Sequence, residues 1–99
     1  MEDACKALDL LVRLRSGRAH LSGTDLMHTV FSPNAPVLGF NTNEGEQRGM
    51  MYFYAGVMFA FRNPRAHGFI SDEAEEALDI ISFVSFLAKA LDGAHKSGR

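Results

Sequence analysis

The chain has 99 residues, 46% of them hydrophobic, with a net charge of −2 and a pI near 6.0. That length suits one domain with a small core and leaves no room for a second. The negative balance excludes a protein that grips long nucleic acid through a broad basic face, because such binding scales with the number of phosphates neutralised.

The lone Cys5 rules out an internal disulfide framework, suits a reducing cytoplasm and reads as a small core residue. Met1-Glu2-Asp3 is acidic where a secretory signal needs positive charge. The most apolar run, residues 49–61, is too short to span a bilayer. A cytoplasmic protein with no membrane partner is therefore expected.

Residues 3–15 place Ala4, Ala7, Leu8, Leu11 and Leu14 at helical spacing, and Gly17 supplies the stop. A basic loop with Arg18 and His20 comes next. Ser22 then reads as the cap of a short second helix with Asp25 as its reciprocal partner, and Leu26, Met27, Val30 and Phe31 form its inward face. Pro33 and Pro36 end it. Val37, Leu38 and Phe40 are expected to tuck against the core in extended form, without a sheet, since no second strand is visible.

Asn43 and Glu46 make a natural capping pair for the third helix. From residue 50 to 61 that helix is apolar on nearly every side, so it must be surrounded, by the other helices or by a second copy. Gly49 and Gly56 lie two turns apart on one face, where another backbone could approach closely. Tyr52 and Tyr54 read as core or interface aromatics.

This apolar element ends in Arg62-Asn63-Pro64-Arg65-Ala66-His67. A straight helix, at roughly 100° per residue, would put Arg62 and His67 about 140° apart around its axis. Pro64 lacks an N–H and pushes Asn63 out of the helical region, so the helix is expected to stop near Asn63. Asn63 then caps a new turn with Pro64 at its first position, which re-aims His67 toward the side of Arg62. Two guanidiniums, an imidazole and open backbone N–H groups suit a phosphate.

Asp72 with Glu75 reads as the cap of the fourth helix. Ala77, Ile80, Ile81, Val84, Leu87, Ala88 and Leu91 make its core stripe, which Phe83 and Phe86 widen beyond one face, as either a partner surface or a crowded monomer core requires. Gly93 ends it. The expected organisation is one helical domain over residues 1–93, with a polar, disordered tail at 94–99.

The pattern of Arg62, Asn63, three further residues and His67 at the end of a third helix resembles the motif of the HEPN superfamily. The wider text is similar to one branch of it, the Ymh-like proteins of bacteria and phages. The segments that carry this likeness are Ser22-Gly23-Thr24-Asp25-Leu26-Met27, Phe31-Ser32-Pro33-Asn34-Ala35-Pro36-Val37-Leu38, the turn with Arg62 and His67, and residues 72–92. The resemblance implies an all-α, HEPN-like four-helix bundle with a short second helix, paired as a symmetric homodimer. It also implies a metal-independent endoribonuclease without cofactor, whose two motifs meet across the interface, serving in phage defence or as a toxin with an antitoxin or regulatory partner.

In that reading Arg62 and His67 are catalytic, the arginine for the phosphate and the imidazole for proton transfer, while Asn63 and Arg65 orient or bind RNA. The alternative is a catalytically silent dimerisation module that binds nucleic acid or protein. Ymh-like regions are often preceded by other sequence, so the chain also reads as the C-terminal domain of a longer protein. His20, His28, His95 and Cys5 show no zinc-ligand spacing, and hydrolase, kinase, Walker and dinucleotide signatures are absent.

Overall fold

The computed structural model describes residues 2–62 and 74–97 of a mostly helical chain. Helix α1, Glu2–Ser16, stops where Gly17 takes φ 74° and donates its N–H to the Arg13 carbonyl at 2.9 Å. A side chain there would strain the left-handed backbone, which is why glycine ends the helix.

The buried face of α1 is Cys5, Leu8, Asp9, Val12 and Ser16, whereas Leu14, expected to point inward, is 71% exposed. The cause of this correction is a carboxylate inside the core stripe. Asp9 Oδ2 accepts the Gly23 N–H at 2.7 Å, and Asp9 Oδ1 lies 2.8 Å from Arg13 Nε in an ion pair not aligned as a hydrogen bond. A charge held this way can replace an apolar residue on the inner face. Leu14 is thereby left on the outside.

Asp9 also changes how helix α2, Gly23–Val30, begins. Ser22 has the extended backbone of a capping residue, but its side chain makes no capping bond. The helix's first N–H, which a capping side chain at Ser22 would not reach, goes to Asp9 of α1. Leu26, Met27, Val30 and Phe31 are all buried, as their spacing predicts.

Two expectations about extended chain are corrected together. Strand β1, Leu38–Gly39, pairs antiparallel with strand β2, His95–Lys96, with Leu38 opposite Lys96 and Gly39 opposite His95. The Ser97 N–H extends the ribbon to the Val37 carbonyl at 2.9 Å. The missing partner strand is thus the start of the tail that was expected to be disordered. Two polar residues are too few to show a strand period. Gly98 and Arg99 lie outside the described residues.

Helix α3, Glu44–Val57, opens with the predicted reciprocal cap. Asn43 Oδ1 accepts the Glu46 N–H at 2.8 Å, and Asn43 Nδ2 donates to Glu46 Oε1 at 3.1 Å. Gln47, one residue on, is buried and fully used. Its Nε2 donates to the carbonyls of Phe31 (3.3 Å) and Leu38 (3.1 Å), and its Oε1 accepts the Phe40 N–H at 3.0 Å. One amide therefore joins α3 to the end of α2 and to the ribbon.

Two turns further along the same face stands Tyr54, fully buried. Its ring stacks on Phe31 with centroids 4.2 Å apart, and its hydroxyl donates to the Leu87 carbonyl at 2.6 Å. Leu87 belongs to helix α4, Ala74–Ala90, which tightens into a 3-10 turn at Leu91–Gly93. Val84, Leu87 and Leu91 are the buried part of the α4 stripe, while Ile81 and Phe86 remain exposed. The expected cap at Asp72 lies outside the described residues.

Burial raises the Tyr54 phenol well above its ordinary pKa, because the phenolate would lose its hydration. Tyr54→Phe leaves the Leu87 carbonyl without this donor, and a loss of about 1–3 kcal/mol is expected in urea denaturation. The raised folded-state value sets the pH dependence. The stabilisation by Tyr54 is complete below about pH 10, where an unfolded tyrosine begins to ionise, and declines as pH rises from there. Tyr54→Phe should flatten that alkaline decline, and an unchanged alkaline slope would contradict the role assigned to this hydroxyl.

Candidate functional site

Buried on one side by Gln47, Met51, Tyr54, Ala55 and Val57, α3 is held rigidly enough to position the segment attached to its end. That segment is a π-helical turn, Met58–Arg62. The sequence explains why the α ladder cannot simply run on. Pro64 has no N–H to give the Ala60 carbonyl, and its ring would crowd that same carbonyl. Widened turns of this kind occur often at functional sites, since they re-aim side chains.

Sequence reasoning predicted an ending near Asn63 but not the π turn before it. The only signal for it in the sequence is the proline four residues beyond Ala60. Arg62 closes the turn, and its backbone alone is described. Its side chain, together with Asn63, Arg65 and His67, lies outside the described residues. The described frame therefore fixes where the motif is attached, at the α3 end of an antiparallel pair in which Tyr54 meets Leu87 and Phe53 meets Phe83.

Of the two covers expected for α3, the chain's own described helices leave its outer face open: Tyr52 is 59% exposed, Phe53 is also open, and Phe59 of the π turn is 76% exposed. Gly49 and Gly56 share this side, and among the described residues nothing beyond the helix's own backbone comes within 4 Å of where a β-carbon would stand on either. Among the described residues no close backbone approach is made at these glycines. Phe53 meets Phe83 edge to face with centroids 5.8 Å apart, and Phe86, exposed, comes next on α4. An open aromatic strip of this length exceeds the scattered apolar residues of an ordinary surface.

Among the described residues no group of three His, Cys, Asp or Glu side chains gathers as metal ligands, and no helix is long and apolar enough to cross a membrane. Cys5 is buried, a core position as expected.

The model of one family, described as a protein of unknown function (Hypoth_ymh), matches residues 1–91. The chain belongs to the Ymh family. That match covers α1 through the end of α4, so the Asp9 pair, the Asn43 cap, Tyr54 and the Arg62 turn all fall inside the family's domain. Comparison with curated proteins and with solved structures yields no match.

Proposed function

We propose that this Ymh-family chain is a metal-independent endoribonuclease of the HEPN type, acting as a symmetric homodimer in phage defence or as a toxin. The observation that carries the reading is the motif from Arg62 to His67 mounted on the end of a firmly anchored helix whose aromatic flank is open. The HEPN assignment adds the chemistry by resemblance of the motif.

Cleavage without a metal requires three things of the site. A base takes the proton from the ribose 2′-hydroxyl, whose oxygen attacks phosphorus. A cation stabilises the added negative charge, and an acid protonates the departing 5′-oxygen. His67 supplies the proton transfers, since imidazole titrates near neutrality. Arg62 supplies a permanent charge and a planar fork of donors for the phosphate. One imidazole cannot readily serve as base and acid in the same step, whereas two copies provide one for each task. Asn63 and Arg65 orient the turn and the strand.

The open strip of Tyr52, Phe53 and Phe59 is the surface assigned to the second copy. An aromatic side chain carries about 150–250 Å² of area, so these three offer on the order of 350 Å² at their observed exposures. Phe86 extends the strip toward the ~800 Å² per partner typical of a stable interface. Gly49 and Gly56 leave room for the facing backbone.

A second reading, a catalytically silent module that binds a protein or nucleic acid, draws on the same open strip without needing the motif. Two experiments separate these readings. Purified protein should cut RNA in the presence of EDTA, and His67→Ala or Arg62→Ala should each lower the rate by about 10²- to 10⁴-fold with an unchanged circular dichroism spectrum. RNA that stays intact under every condition would leave only the module. In sedimentation, the wild-type chain should run as a dimer and Phe59→Asp as a monomer; a monomeric wild type would remove the dimer from both readings.

A further inference from the structure

Helices α1 and α4 run the same way, side by side. Arg15 at the end of one pairs at 2.8 Å with Asp92, just beyond the other and 77 residues later in the chain. Ala4, Leu8 and Leu11 line a cleft with Val84 and Ala88, so the two helices stay adjacent well back along α1.

Each helix turns a stripe to solvent beside this cleft. On α1 it is Asp3, Ala7, Leu10 and Leu14, all exposed, with Leu14 the most open. On α4 it is Leu78, Ser82, Ser85 and Lys89, also exposed, with Leu78 at 63%. Steps of four, three and four residues keep each set on one helix face. Neither Asp3 nor Lys89 has an ion pair among the described residues.

The stripes match when read in opposite directions. Asp3 then meets Lys89, Ala7 meets Ser85, Leu10 meets Ser82 and Leu14 meets Leu78. Opposite charges, small on small, large on small and leucine on leucine all face each other. One chain cannot make these pairs with itself. By the offset of the Arg15 and Asp92 contact, Ile80 is level with Asp3, and Lys89 lies roughly 13 Å further along at about 1.5 Å per residue. A second copy turned by a two-fold axis makes every pair twice, each α1 on the other copy's α4. The axis that does so passes between Ala7 and Leu8 on α1 and between Val84 and Ser85 on α4. All four of these residues line the cleft, so the axis runs through its middle.

We infer that the α1–α4 face is a docking surface for a second copy of this chain, packed antiparallel about that axis. The chain carries the matching stripe itself, which favours a second copy over a helix of another protein. The face uses neither the strip of Tyr52, Phe53 and Phe59 nor the motif, so it rests on neither the α3 pairing nor the ribonuclease reading. It is also the weaker contact. Two helices over the length from Asp3 to Leu14 cover roughly 17 by 18 Å, about 300 Å² in projection, well below the ~800 Å² per partner of a stable interface. Association near 10⁻⁴ M, on the order of a weak transient contact, is expected.

Sedimentation equilibrium of Phe59→Asp, which disables the α3 strip, reads this face alone. That variant should be a monomer at about 10 µM and pair at about 0.5 mM. Asp3→Lys and Lys89→Asp, each added to it, set like charges opposite one another twice and should each weaken pairing by about tenfold or more. Combining the two returns opposite charges and should restore pairing, a rescue that only contact between copies provides, since the positions are far apart in one chain. Leu14→Glu, at an exposed position, should abolish pairing with an unchanged circular dichroism spectrum. Absence of pairing by Phe59→Asp at the higher concentration, or a charge-swapped double variant no better than the single reversals, would overturn the proposal.

Discussion

The hydroxyl of Tyr54 on the Leu87 carbonyl, with its ring pressed on Phe31, is the contact on which the rest of the fold depends. It ties the last turn of α3 to the last turn of α4 and to the end of α2 at once. Two turns earlier the Gln47 amide ties α3 to the end of α2 and to the ribbon. Both groups are polar and enclosed, so each holds α3 in a single rotation: turning the helix would leave buried donors and acceptors unmet. Apolar packing alone would tolerate more slippage.

A helix pinned along one side has its opposite side defined as well. Gly49, Tyr52, Phe53 and Gly56 are on that outer side because Gln47, Met51, Tyr54 and Ala55 are inside. The same fixed rotation sets where the π turn leaves the bundle and so where Arg62 departs from it. The point where the described chain reaches Arg62 and the open aromatic strip are thus two consequences of one set of buried hydrogen bonds. In the proposed function they also belong together, because pairing through the strip is what would bring two motifs to one phosphate.

Much of the helical plan was readable in the residues. Gly17 as a stop, the Asn43 and Glu46 pair, and the inward face of α2 obey local rules that tertiary structure did not override. The departures have specific causes. Ser22 makes no capping bond, and the first α2 N–H is held by Asp9, a contact fourteen residues away that no capping rule reaches. Leu14 is outside because that same carboxylate occupies the inner stripe. The ribbon joins chain segments far apart in the sequence, each too short to carry a strand signal. Of the candidate site, the anchor on α3 was legible and the π turn was not, since periodicity is blind in a run that is apolar on every side.

The most direct measurement is the distance between the two copies of position 67 in the assembled dimer, read by paired spin labels at His67→Cys. If pairing through α3 assembles one composite site, that distance is short enough for both side chains to reach a single phosphodiester. Labels on remote ends of the dimer, or a chain that never pairs, would contradict it.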